Sequence, residues 1–213
     1  MEKLKRLILN ILKAFILQLY KIKRILFPYK YPDNPNNEVL IHLGCGEINS
    51  PEFINVDSRF FKHIHHIGKV QFLPFFKNDF ADLIYTSHTL EHIPVTELHG
   101  TLSEWKRVLK PNGTLRISVP DFDKIISIYN DNENSIDSIW KPLLGGQEYK
   151  ENSHYAIFNK SYLTKLLLDA GFKNVRVWDP DKVSHHNFTD WASILLEINN
   201  KKYPISLNLE AVK

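Results

Sequence analysis

The run Val39-Leu-Ile-His-Leu-Gly-Cys-Gly-Glu47, followed by Phe53-Ile-Asn-Val-Asp57, constrains this chain more than any other stretch. An apolar strand-like run breaks into a turn with two glycines, and a second apolar run ends in a carboxylate. Nucleotide-type cofactors are held this way at the edge of a parallel sheet. Gly44 permits the tight turn, and Gly46 lets the backbone approach a ligand with no Cβ in the way. Asp57, at the tip of the second strand, can accept hydrogen bonds from two ribose hydroxyls.

Alone, a Gly-x-Gly turn is a weak signal, because short glycine turns after strands are common. The blocks that follow narrow it. Leu73-Pro-Phe-Phe-Lys-Asn-Asp-Phe-Ala-Asp82 leads into Leu-Ile-Tyr-Thr-Ser87-His88-Thr-Leu-Glu91-His92, and Glu104-Trp-Lys-Arg-Val-Leu-Lys-Pro-Asn-Gly113 leads into Thr-Leu-Arg-Ile-Ser-Val-Pro-Asp121. In this order the blocks resemble the class I S-adenosylmethionine-dependent methyltransferases. The likeness is to the branch with a Leu-Glu-His segment after strand 4 and a Leu-Lys-Pro-Gly-Gly turn before strand 5, and it spans roughly residues 39–178.

Alternating apolar runs and helical patterns predict an α/β fold with a parallel sheet and helices on both faces. Strands are expected at Val39–Leu43, Phe53–Val56, weakly near His65–Val70, Asp82–Thr86 and Thr114–Val119. A helix over Thr96–Leu109 buries Leu98, Leu102, Trp105 and Leu109, and Pro111-Asn112-Gly113 stops it and turns the chain. A second helix runs from about residue 158 to Gly171. Val175–Trp178 and Ile205–Val212 form a final strand pair, and the resemblance implies a Rossmann-like, mostly parallel sheet with an antiparallel last strand. Gly44 and Asp57 stand 13 residues apart, against about 20 in the dinucleotide fingerprint, so the first crossover is shortened. That spacing and the missing third glycine argue against an NAD-dependent oxidoreductase.

The resemblance implies S-adenosyl-L-methionine as cofactor, held around His42, Gly44, Cys45, Gly46 and Asp57, with Gln71, Phe72, Leu73 and Ser87 completing its surroundings. The family's acid two places before the first turn glycine, which helps order the cofactor's amino group, is His42 here. Lys69 stands where the family often has an acid near the adenine, so backbone groups around Gln71 and Phe72 take over the adenine. Cys45, the single cysteine, reads as a small residue between turn glycines rather than a nucleophile. These departures keep open a non-catalytic module that only binds the cofactor.

A sulfonium methyl is already activated, so the protein has mainly to align a nucleophile with the methyl–sulfur bond. A hydroxyl acceptor also needs a base, and histidine suits the task. His88, just after strand 4, and His154, in the polar insertion at 144–155, are the catalytic candidates. Glu91, Asp121, Gln147 and Tyr155 are the substrate-binding candidates. Asp121 can instead cap a helix starting near Phe122, a role expected more of Asp123. No metal site is expected: His63, His65 and His66 have no carboxylate or cysteine beside them to complete one.

Net charge is +3 but segregated. In residues 1–30 eight lysines and arginines face one glutamate, giving +7 and leaving −4 for the rest. Positive charge is therefore not spread around an active face as nucleic-acid binding requires. Leu4, Ile8, Ile11, Phe15, Leu19, Ile22 and Leu26 follow helical steps, with basic residues opposite. Lys13 interrupts the apolar run, which is too short to span a bilayer of about 20 residues, and no cleavage site of a signal peptide follows. Two readings stay open: an interfacial helix on an anionic membrane, or packing on its own domain or a second subunit as a homodimer. The expected organisation is a basic amphipathic helix at 1–30, a proline-rich linker at 31–37 and a methyltransferase domain at 38–213 with a lid-like insertion at about 130–157.

The chain lacks the Asn/Asp-Pro-Pro-aromatic motif of many amino-methylating nucleic-acid enzymes. Compact chains resembling it are linked with bacterial surface-glycan assembly. The expectation is O-methylation of a sugar hydroxyl in the cytoplasm, peripheral to the membrane. A quinone or other lipid or small-molecule acceptor is the alternative.

Overall fold

Strand β1 (Leu40–Leu43) buries every residue, and strict alternation sends its side chains to two different cores. Ile41 and Leu43 face the larger core, and Leu40 faces the smaller one. The computed structural model describes residues 30–213 apart from 35, together with residues 4, 5, 8, 9, 11, 12, 15, 16, 18, 19 and 22. The remaining residues of the expected 1–30 helix lie outside the described ones. Those described between residues 4 and 22 are helical, and Leu4, Ile8, Ile11, Phe15, Leu19 and Ile22 are exposed. No helix among the described residues is long and apolar enough to cross a membrane.

β1 pairs in parallel with β2 (Ile54–Asp57) on one side and β4 (Ala81–Ser87) on the other. β3 (His66–Ile67) extends the sheet beyond β2, and β5 (Leu109–Pro120) beyond β4. β9 (Ser206–Val212) runs antiparallel between β5 and β6 (Lys173–Val177). The order is β3-β2-β1-β4-β5-β9-β6, the mostly parallel, Rossmann-like sheet that the sequence predicts. No helix joins β1 to β2, as the short spacing requires.

Helices α1 (Leu98–Val108) and α4 (Lys160–Asp169) cover one face. Leu98, Leu102 and Trp105 of α1 meet Leu163 and Leu167 of α4 over Ile84, Leu115 and Ile117. Trp105 donates its indole N–H to the Val70 carbonyl at 2.8 Å, and Arg107 donates to the Leu73 and Phe76 carbonyls. The long 69–80 segment is thereby fastened to α1.

The opposite face differs from the expectation of helices on both sides. With no first crossover helix, Leu40, Phe53, Leu83 and Tyr85 are covered by Trp178, Val183, Phe188 and Ala192 from the segment after β6. A third apolar cluster joins α2 (Phe122–Asp131) to the hairpin β7 (Leu195–Ile198)–β8 (Lys201–Pro204). The hairpin is additional to the sequence expectation. The expected turn at 111–113 becomes a bulge within β5: pairing with β4 shifts between Leu109 and Thr114, and Asn112 takes φ +65°. A short helix α3 (Trp140–Leu144) lies in the insertion before α4.

Candidate functional site

The carboxyl ends of β1, β2 and β4 deliver Gly44, Asp57 and His88 to one edge of the sheet, where ligands of open parallel sheets bind. A cleft of about 430 Å³ opens there. Its floor includes Gly44, Asp57 and Arg59, one wall Val70 and Gln71, and the other His88, Thr89, His92 and Ile93. Tyr149, Glu151 and Tyr155 reach it from the insertion.

Gly44 has φ +67°, and a Cβ there would come within 2.2 Å of Thr89 Oγ1. Both the backbone conformation and the close approach of Thr89 require glycine. Asp57 is buried, and its Oδ2 accepts from Gly46 N–H at 2.8 Å while Oδ1 accepts from Arg59 N–H at 2.7 Å. These bonds lock the glycine turn to the tip of β2. With Arg59 Nε donating to Oδ1 at 3.4 Å as well, three of about four carboxylate acceptor positions are used and one is left for a ribose hydroxyl. The bare Gly44 turn and the Asp57 carboxylate at the cleft therefore fit an adenosyl cofactor. Arg59, which the sequence reading passed over, lies beside Asp57, and its guanidinium stands over the Phe61 and Tyr149 rings at 5.1 and 5.0 Å. It links the cleft floor to the insertion.

Of the expected cofactor residues, Gly44, Asp57 and Gln71 line the cleft and Gly46 touches Asp57 through its backbone. The others lie elsewhere. His42 alternates to the smaller core, where it stacks on Phe188 and its Nδ1 meets Ser50 Oγ at 3.0 Å. Burial pushes its pKa down to about 3. Cys45 is buried and free, and burial pushes its thiol well above the usual range, which removes it as a nucleophile. Leu73 is a core residue, Phe72 is exposed, and Ser87 lies at the end of β4 outside the cleft lining.

The acceptor side gathers His88, Glu91, His92 and His154. Glu91 and His92 sit in a single 3-10 turn, Leu90–His92. The Glu91 carbonyl accepts from Tyr155 N–H at 2.7 Å and Ala156 N–H at 3.2 Å, which sets His154 opposite the Glu91 side chain. The Glu91 carboxyl is buried, and neither oxygen has a hydrogen-bond partner among the described residues. His88 Nδ1 lies 3.4 Å and His154 Nε2 4.0 Å from its Oε1. The hydrogen bonds fix the His88 tautomer. Ser206 Oγ donates its one proton to the Trp191 carbonyl at 2.5 Å, so it accepts from His88 Nε2 at 2.8 Å. Nδ1 therefore carries a lone pair toward Glu91.

Burial raises the Glu91 pKa to about 8 and lowers His88 to about 3 and His154 to about 4. It also lowers His92, whose Nδ1–H donates to the Ser153 carbonyl at 3.0 Å.

Asp121 is the cap of α2, accepting from Asp123 N–H at 3.2 Å, so capping falls to Asp121 and not to Asp123. Lys124 stands 3.7 Å from it. Gln147 is exposed at φ +59°, and Tyr155 is exposed on the cleft rim. Neither Asp121 nor Gln147 lines the cleft. His63, His65 and His66 brace the loop after β2: His63 Nε2 meets the Gly46 carbonyl, His65 Nδ1 accepts from Asn55 N–H, and His66 Nε2 meets the Tyr31 hydroxyl.

This sheet order, with a glycine turn and an acid-tipped second strand below an open cleft, is that of the class I methyltransferase fold. A family model described as a methyltransferase domain matches residues 23–177, and the chain belongs to that family. Among solved structures it is similar to a SAM-dependent methyltransferase from Methanosarcina mazei, at 17% identity and a TM-score of 0.52, covering 89% of this chain and 96% of that one. A SAM-dependent methyltransferase from Thermotoga maritima gives 17% identity, a TM-score of 0.51 and coverage of 96% and 99%. One from Archaeoglobus fulgidus gives 16%, 0.50, 92% and 93%. No curated protein matches the chain. The protein is a SAM-dependent methyltransferase.

Proposed function

We propose that the protein methylates a hydroxyl oxygen of a saccharide built at a membrane surface. The observation that carries this reading is the cluster beside the cofactor cleft where His88 Nδ1, the Glu91 carboxyl and His154 Nε2 converge. A hydroxyl nucleophile sheds a proton as it attacks, and the His88 Nδ1 lone pair, or the Glu91 carboxylate once ionised above about pH 8, can accept it. Bound S-adenosylmethionine supplies an electrophilic methyl group. Gly44 and Asp57 hold the adenosyl end, Arg59 and Tyr149 close over it, and Tyr155 offers a ring face and a hydroxyl at the rim for a sugar. Alignment and exclusion of water then provide most of the acceleration.

Residues 1–30 supply the membrane part of the reading, with +7 net charge and exposed apolar residues at helical spacing. Methyl transfer from labelled S-adenosylmethionine to a glycan extract tests the acceptor class. Label in a quinone or lipid fraction instead moves the reading to that class, and label in neither overturns hydroxyl transfer to both.

A further inference from the structure

Glu91 presents a difficulty that its protein surroundings leave unsolved. It is 1% exposed, both carboxylate oxygens lack a hydrogen-bond donor, and among the described residues no lysine or arginine pairs with it. A carboxyl in that condition costs several kcal/mol to ionise unless something positive stands beside it. Its nearest polar neighbours do not donate to it as neutral rings. His88 turns a lone pair to it because its proton is committed to Ser206. His92 commits its Nδ1 proton to the Ser153 carbonyl and keeps a lone pair on Nε2. His154 brings Nε2 to 4.0 Å.

One ligand atom from each of Glu91, His92 and His154 lies within 4.8 Å of the other two. We propose that Glu91, His92 and His154 form a binding site for a divalent transition-metal ion of the zinc type, placed between the acceptor end of the cleft and the insertion. Two imidazoles and a carboxylate are a borderline donor set that suits zinc and its neighbours better than magnesium or calcium. The bond from His92 Nδ1–H to a backbone carbonyl is the outer-shell contact that fixes a metal-binding tautomer.

Zinc holds such donors at about 2.0–2.2 Å, which sets tetrahedral neighbours roughly 3.4 Å apart. The three atoms therefore draw together by about 1 Å on binding. His154 is the natural one to move, because it enters from the insertion while Glu91 and His92 share one turn. Three protein ligands leave a fourth position open. His88, His92 and Tyr155 line the cleft, so that position faces the acceptor. An ion there would bind an acceptor oxygen and lower its pKa, as it does for water. The site stands apart from the choice of saccharide as acceptor.

The test uses the full chain, stripped with a chelator and shown by calorimetry to bind S-adenosylhomocysteine. Zn²⁺ is titrated in competition with a chromophoric chelator, and Co²⁺ is added separately to read the visible absorption of a low-coordinate ion. One equivalent is expected to bind. Glu91→Gln and His154→Gln should each weaken Zn²⁺ at least tenfold and abolish the Co²⁺ band while still binding S-adenosylhomocysteine. His99→Gln, on the exposed side of α1, should leave both unchanged. If Glu91→Gln does not fold, His154→Gln decides alone. Stripped wild type that binds S-adenosylhomocysteine but takes up neither ion overturns the proposal, as does full uptake in both site variants.

Discussion

His88 Nδ1 and Glu91 Oε1 stand 3.4 Å apart with no proton available from the imidazole to join them. The tautomer is imposed from outside the pair, by the Ser206 hydroxyl and the Trp191 carbonyl behind it. In chelator-treated protein at about pH 9, where the Glu91 carboxyl is ionised, replacing Glu91 by glutamine puts an amide donor where two acceptors face each other. Glu91→Gln should then raise stability by about 1–3 kcal/mol, the range for relieving an unsatisfied buried polar group. Urea denaturation of both proteins measures it, and a less stable variant contradicts the assigned tautomer.

Asp57 serves the turn as well as the cofactor, through Gly46 and Arg59. Asp57→Ala should weaken S-adenosylhomocysteine binding by roughly 1–3 kcal/mol and also lower thermal stability. Calorimetry and melting curves read the two effects separately. Unchanged affinity in the folded variant would remove Asp57 from the cofactor site.

Gly44 combines φ +67° with the pressure of Thr89. Gly44→Ala should cost about 1–3 kcal/mol, the range for strained backbone positions, and impair cofactor binding. Adding Thr89→Ser removes the crowding methyl group but neither the hydroxyl nor the backbone strain, so rescue should be partial. Complete rescue would mean that φ contributes nothing.

His42 gives the fold a pH dependence of defined sign. Its folded pKa, about 3, lies below the ordinary histidine value because burial disfavours the charged ring. The unfolded chain therefore takes up the proton first. The stability that neutral His42 permits is fully present above about pH 6.5 and is lost as pH falls from there toward 3. His42→Gln should flatten the fall in stability between pH 7.5 and 5 by on the order of 1 kcal/mol per pH unit. Parallel denaturation curves at the two pH values check this, and equal slopes in both proteins would rule it out.

The basic terminal segment should bind vesicles that contain anionic lipid and release them as salt rises, since exposed charges are screened. Deleting residues 1–30 should end flotation with vesicles and spare cofactor binding. Wild type that stays unbound at low salt refutes the membrane reading, and a destabilised truncation points to packing on protein.

Most of the sheet is legible because each of its strands is bounded by a change in pattern. Gly44 ends β1, Asp57 ends β2, and the 13-residue spacing between them rules out an ordinary crossover helix. The failures have physical causes. His42 looks like a cofactor contact by its distance from Gly44, but strand alternation turns it with Leu40 to the opposite core. Asn199 and Asn200 both adopt positive φ at the tip of the β7–β8 hairpin, a turn signal present in the sequence but flanked by strands of only four residues each, too short to show a pattern. Glu91 and His92 are visible as neighbours, whereas His154 joins them only because Tyr155 and Ala156 bond back to the Glu91 carbonyl. Spacing along the chain carries no trace of that encounter.

The placement of β9 between β5 and β6 sets the order in which a ribosome can complete this sheet. β6 is synthesised before β9, the only strand it pairs with among the described residues, and residues 178–205 must follow before that partner emerges. At about 5–20 residues per second the wait lasts on the order of seconds. Meanwhile β5 has one bare edge, with Leu115, Ile117 and Val119 beside it. Newly made chains are therefore open to β-pairing with one another until residue 212 has left the tunnel, and chaperone dependence should be concentrated in that interval.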